Sequence, residues 1–296
     1  MIILAGGSKD HNMQRILNAV QSRDYGHQII WSDHPQNLSF SFNALNGHTN
    51  IDLFNDGRHS MMIRYDVFQT RQDNTSHEMA DAWYNAVKGW GMAMPHVALL
   101  NSTYDLGAEP NKARNLIWAK QVGFDVPDTH ITNNPIPFLK SPENWIIKPV
   151  CGGIHTQCLQ DYLTKTNHDL SALTAMPWIV QRKMAYPELR VFQVGPWQFA
   201  LSIQNHGIDS RDNLANMKIT AVDMPRSLQT PMEKLSQKLT LGFSAADFKT
   251  CPETGNYKFL EINTMPMITG YDNVLEGQLS DALALTLHKM QRTPRP

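Results

Sequence analysis

Asp247, Glu261 and Asn263 are the residues whose types and spacing most directly suggest chemistry. In a strand, residues i and i+2 share a face. In Phe259-Leu260-Glu261-Ile262-Asn263 this puts Glu261 and Asn263 together and turns Leu260 and Ile262 toward a core. A turn centred near Thr254 brings Asp247 opposite Glu261. Two carboxylates and an amide oxygen then converge, a set suited to Mg2+, which takes few protein ligands and leaves the rest to water and phosphate. A bound cation also relieves the repulsion between two close acids. A solvated strand end carrying unrelated acids is the alternative. Lys148, in Trp145-Ile146-Ile147-Lys148-Pro149-Val150, shares a strand face with apolar neighbours. Such a lysine is costly unless an anion pairs with it; a snorkelling strand-end lysine is the alternative. Gly152-Gly153 follows at once and offers backbone N–H groups to cover a phosphate. Glu188 and Arg190, two apart in Pro187-Glu188-Leu189-Arg190, can accept from ribose hydroxyls and hold an oxyanion bidentately, or form a plain ion pair.

The elements that must position these residues are legible in the hydrophobic periodicity. Ile2–Ala5 and Gln28–Trp31 read as strands around a helix at Asn12–Arg23, a βαβ beginning that predicts a small α/β domain. Ser60–Val67 reads as a strand, Ser76–Trp90 as a helix, and Val97–Leu100 as a short apolar run. A polar stretch around Asn101–Glu109 marks a junction. Beyond it, Asn111 caps a helix to Val122, with Ala113, Leu116 and Ile117 as its apolar stripe and Gly123 as its stop. Trp145–Val150, Trp178–Gln181, Leu189–Val194 and Trp197–Ile203 read as strands, the last two joined by Gly195-Pro196. Pro231–Leu241 reads as a helix, Phe243–Phe248 and Tyr257–Ile262 as a hairpin, and Ser280–Met290 as a closing helix. The second half is therefore α+β, with mostly antiparallel strands.

Composition excludes several classes. The 296 residues are 42% hydrophobic and 18% charged, with a formal net charge of -1. That balance gives no field to recruit nucleic acid or an anionic membrane. No window holds 18 apolar residues, and Met1–Gly6 lacks a signal-peptide n-region, so a cytoplasmic protein is expected. Cys151, Cys158 and Cys251 fit neither a disulfide framework nor a zinc motif. A phosphate loop, G-x-G-x-x-G, H-E-x-x-H and G-x-S-x-G are all missing.

Taken in order, "NKARNLIWAKQVGFDVPDTHITN", "WIIKPVCGG", "WIVQRKMAYPELRVFQVG", "DSRDNL", "GFSAADF" and "FLEINTMPM" resemble the ATP-grasp superfamily. The chain is most similar there to ligases that modify ribosomal protein S6 or cyclise microviridins. The resemblance spans about Asn111 to Tyr271. It implies an α+β ATP-grasp fold, two subdomains clamping ATP, preceded by a small α/β domain. The boundaries expected are 1–103, 104–184 for the lid subdomain and 185–296 for the subdomain with the metal site. Lys112 and Lys148 match lysines that contact ATP phosphates. Gln181 matches the strand leading into the adenine hinge, Met184 the hinge itself, and Glu188 the ribose acid. Arg190 and Arg211 match arginines that steady phosphate or acyl phosphate, and Asn213 follows in the same pattern. Asp247, Glu261 and Asn263 match the Mg2+ ligands, with two ions and substitution by Mn2+ both accommodated. The loop from Cys151 to His155 is poorer in glycine and serine than in these ligases, and Arg182-Lys183 replaces the usual hinge pair.

The resemblance implies a carboxylate–amine, or carboxylate–thiol, ligase working through an acyl phosphate. Its substrate is a small molecule, a peptide or a protein tail, and ligases of this kind are often a homo-oligomer, a dimer or a tetramer. A small-molecule kinase and a non-catalytic nucleotide-binding partner remain alternatives. Met265, Met267 and Tyr271 either line the acceptor pocket or pack in the core.

Overall fold

The computed structural model describes residues 1–33, 40–49, 57–65, 74–101, 111–150, 155–205 and 217–291. Cys151, Gly152, Gly153, Arg211 and Asn213 lie outside them, as do Val67 and the 102–110 junction.

Three sheets organise the described residues. The first is parallel, in the order β2 (His27–Trp31), β1 (Ile2–Gly6), β3 (His59–Ile63), β4 (Val97–Leu99). The five residues of β1 are all buried, because a parallel strand is covered on both faces. Ile3 and Ala5 pack on the side of α2 (Asn74–Ala93). Ile2 and Leu4 pack on the side of α1 (His11–Ser22), whose N-terminal N–H groups are capped by Asp10.

The second sheet is antiparallel, in the order β11 (Lys218–Val222), β10 (Trp197–Gln204), β9 (Ala185–Val194), β12 (Phe243–Thr250), β13 (Tyr257–Asn263). Leu189, Val191, Ala246, Phe248, Phe259 and Ile262 point to one face. There they bury α3 (Lys112–Val122) and α6 (Arg226–Lys238). Helix α3 is bounded as its sequence predicts. The Asn111 side chain accepts from Arg114 N–H, and Gly123 takes φ 108° at the end, a left-handed conformation that favours glycine. Leu116 and Ala119 bury the inner face of α3, whereas Ile117, expected in the stripe, is exposed. Helix α3 thus packs on the five-stranded sheet, although the 104–184 division groups it with the lid. Helix α6 starts five residues before the expected Pro231, which lies inside it. Leu228, Met232 and Leu235 form one buried stripe that carries the helix through the proline.

The third sheet is antiparallel, in the order β5 (Thr129–Thr132), β8 (Trp178–Arg182), β6 (Trp145–Pro149), β7 (Gln157–Cys158). Its apolar face, with Ile147, Trp178 and Val180, is covered by α4 (Leu159–Lys165) and α5 (Ser171–Ala175), two short helices the sequence did not signal. The chain closes with α7 (Thr269–Val274) and α8 (Gln278–Met290). Leu279, Leu283 and Leu287 of α8 join α1 and the end of β9 in one core, so the first and last parts of the chain are fused. No helix among the described residues is long and apolar enough to cross a membrane. Cys158 and Cys251 are free and buried.

Candidate active site

One face of the five-stranded sheet carries a row of charge. Asp247 on β12 pairs across the strands with Arg190 on β9 and with Glu261 on β13. Lys249 pairs with Glu188 in the next row, their charged ends 3.9 Å apart. Alternation along each strand forces this: Leu189, Val191 and Phe248 are core residues, so the residues between them face the other way. The expected apolar pair of Leu260 and Ile262 is corrected by a β-bulge. The register shifts between Asp247 and Phe248, Leu260 is left half-buried at the irregularity, and Phe259 joins Ile262 in the core. Without the bulge, the alternation that buries Ile262 would turn Phe259 into the charged cleft; such irregularities re-aim side chains beside active sites.

Around this row the contacts are specific. The Asn263 amide donates to Asp247 Oδ2 at 2.9 Å. Arg190 Nη1 donates to the Tyr271 hydroxyl at 2.9 Å, and its guanidinium lies 4.8 Å from the Tyr271 ring centroid. Arg190 Nε is 3.5 Å from Asp247 Oδ1, too long for a hydrogen bond, and both atoms are buried without one. From the start of α3, Lys112 Nζ reaches Glu261 Oε2 at 3.2 Å. From the third sheet comes Lys148, 7% exposed, which feels the charges of Glu261, Asp247, Lys112 and Lys249. Because Ile147 and Val180 face α4, Lys148 and Ile146 on β6, with Ile179 and Gln181 on β8, face the cleft instead.

Burial dominates the electrostatics. It drives Glu188 up to about 7, helped by Asp247 nearby, and Asp247 up to about 6, helped by Glu261 and opposed by Arg190. Burial also pushes Glu261 up, but Lys148 and Lys112 beside it outweigh that and leave its carboxyl depressed. Burial lowers the Lys148 ammonium, and the neighbouring lysines add to that against the pull of Glu261. Among the described residues, four cations, Lys112, Lys148, Arg190 and Lys249, thus face three acids, Glu188, Asp247 and Glu261, between the two sheets. The surplus positive charge suits a polyphosphate.

The predicted residues therefore divide. Lys112, Lys148, Glu188, Arg190, Asp247, Glu261 and Asn263 come together. Gln181 lies on the cleft face of the third sheet, and Met184 in the short link between β8 and β9. Gly152, Gly153, Arg211 and Asn213 lie outside the described residues. Lys249 joins them without being among the predicted residues, although it stands two residues after Asp247 and so on its face. Tyr271 is a pocket or core candidate in the sequence, and its bond to Arg190 carries no sequence signal. Among the described residues no three His, Cys, Asp or Glu side chains gather as a metal cluster. The set is two carboxylates and an amide, oxygen donors of the kind that would hold a hard cation such as Mg2+. Asp247 Oδ1 is a buried acceptor without a hydrogen bond, and the Lys112 ammonium on Glu261 occupies a cation position.

No family model matches the chain, and no curated protein matches it by sequence. Solved structures do. The ATP-grasp ligase PsnB, complexed with a minimal precursor, aligns over 98% of this chain and 99% of its own, with TM-score 0.75 and 20% identity. The fold is that of the ATP-grasp ligases. The same fold recurs in the macrocyclase MdnC from Microcystis aeruginosa MRC, bound with precursor peptide MdnA, over 97% of this chain and 99% of that one (TM-score 0.73, 17% identity). A RiPP-associated ATP-grasp ligase from Chryseobacterium gregarium, in complex with ADP and a leader and core peptide, covers 99% and 97% (TM-score 0.70, 18% identity). The ATP-grasp fold extends over nearly the whole chain, including the parallel sheet that precedes the resembling motifs.

Proposed function

We propose that the chain is an ATP- and Mg2+-dependent ligase that joins a carboxylate to an amine on a peptide substrate, through an acyl phosphate. One observation carries this: the buried Lys148 of one sheet faces Asp247 and Glu261 of the other, with Lys112, Lys249 and Arg190 around them. PsnB has been solved with precursor, Mg and ADP, and MdnC with a precursor peptide, which supports both the nucleotide and the peptide.

A substrate carboxylate attacks the γ-phosphorus, forming an acyl phosphate and releasing ADP. An amine then attacks the acyl carbon, inorganic phosphate leaves, and the proton lost by nitrogen departs with it or to solvent. Lys112, Lys148 and Lys249 hold the phosphate oxygens, and Glu188 accepts from the ribose. Asp247, Glu261 and Asn263 would hold Mg2+, which supplies charge neutralisation on the phosphates. Mn2+, which also favours oxygen ligands, would substitute. Arg190, fixed by Tyr271, stabilises the transferring group, and Arg211 with Asn213 extends that role on the strength of their motif. Gln181 and Met184 meet the adenine, and Gly152 with Gly153 closes over phosphate. Covering the cleft keeps water from the acyl phosphate.

The test is incubation with ATP, Mg2+ and an acidic, lysine-containing peptide. ADP and phosphate should accumulate together with a peptide lighter by one water. A stable phosphorylated product, or ADP formation independent of peptide, would overturn the ligase assignment.

A further inference from the structure

A buried amide on the cleft face is left half-satisfied in a way that specifies a ligand. Gln181 is 0% exposed, and its Oε1 has no hydrogen-bond partner. Its Nε2 donates to Thr129 Oγ1 at 2.9 Å, and that hydroxyl donates its own proton to the Pro127 carbonyl at 2.7 Å. A hydroxyl has one proton. With that proton committed to Pro127, Thr129 can only accept from Gln181. The amide NH2 must therefore face Thr129, and the amide oxygen must face away from it.

Gln181 pairs with Ile146 on one side and Thr129 on the other, on the sheet face that also presents Ile179 and Lys148. The opposite face belongs to the Trp178 and Val180 core under α4. The unpartnered oxygen thus belongs to the face that closes the cleft, flanked by two isoleucines suited to a flat ring. A buried acceptor without a partner is costly, and a ligand N–H removes that cost. We propose that Thr129, by locking the Gln181 amide, makes the nucleotide pocket selective for a purine bearing an amino donor at position 6, adenine, over one bearing a carbonyl there, guanine. The assignment rests on the ATP function proposed above. Adenine donates its 6-amino group to Gln181 Oε1. Guanine would set its O6 against that oxygen, two acceptors without a proton between them. Turning the amide over to suit guanine would require Thr129 to release Pro127.

The experiment is calorimetry of ADP and GDP binding, each with Mg2+, to the full chain and to Thr129→Val, Thr129→Ser and Lys148→Ala. Thr129 is only half-buried, and valine keeps its shape, so melting temperatures should confirm that the variants fold. The parent should prefer ADP. Thr129→Val, which frees the amide to turn, should lower the ADP-to-GDP affinity ratio about tenfold, chiefly through tighter GDP. Thr129→Ser, which keeps the hydroxyl, should restore it. Lys148→Ala should weaken both nucleotides alike. A parent that prefers ADP while Thr129→Val keeps the full ratio overturns the orientation lock alone. A parent that binds neither nucleotide overturns the lock and the ATP assignment together.

Discussion

The same face of the five-stranded sheet is two surfaces. On β9 it runs Glu188, Arg190, Phe192, Val194, and on β12 it runs Lys249, Asp247, Ala245, Phe243. The charged halves meet the third sheet across the cleft. The apolar halves are sealed by α8, α1 and the parallel sheet in a shared core. One strand pair thus carries both an apolar joint and a charged interface. Apolar burial is non-directional and present at all times. The charged half meets Lys112 of α3 and Lys148 of the third sheet, and charges buried this way carry a desolvation cost that only close pairing offsets.

That contrast can be attacked from either side. The largest effect belongs to the apolar half. Leu283→Ala, at a fully buried position of α8, should cost about 2–5 kcal/mol of stability, read by denaturant unfolding, while leaving ADP affinity in the folded protein near the parent's. A matching loss of affinity would show that the two halves are not separate. Next comes the charged half. Glu261→Gln should reduce Mg2+-dependent turnover by about 10²–10³-fold, measured as ADP release well below the variant's melting temperature. Turnover close to the parent's would remove Glu261 from the metal site. Lys148→Ala should weaken ADP binding by about 10–100-fold, as for a lost charge-assisted hydrogen bond, by calorimetry; unchanged affinity would detach the third sheet from the nucleotide.

The smallest effect is pH. Glu188 and Asp247 rise from 4.5 and 3.8 to about 7 and 6 on folding. Between about pH 4 and 7 the folded chain therefore holds more protons than the unfolded one, and these two groups lose stability as pH rises through that window. Glu261 is depressed, so its contribution is present above 4.5 and is lost only at lower pH. Thermal melts without nucleotide should show this slope, at most about 1.4 kcal/mol per pH unit for one group. Glu188→Gln should flatten it; an unchanged slope would mean that burial does not govern Glu188.

Much of the site was legible because β-strand alternation is a local rule. It put Glu188 with Arg190 and Glu261 with Asn263 before any partner strand was known. The Asn111 cap and the Gly123 stop were legible for the same reason, since each bonds within its own helix turn. Where distant packing decides, local signals failed. Ile117 looks like a core residue until the sheet takes Leu116 and Ala119 instead, and Pro231 looks like a helix start until Leu228 finds an apolar partner upstream.

The amino-acid order by itself determined which side chains share a strand face, where helix α3 begins and stops, and that lysines and acids recur at chemically useful spacing. Tertiary structure alone decided that Arg190 would lie across from Asp247, that Lys148 would descend on Glu261 from another sheet, and that Leu260 would bulge so that Phe259 is buried. The physical reason is range. Backbone stereochemistry acts over two to four residues, whereas burial and charge act through space and bring together side chains whose separation along the chain carries no signal.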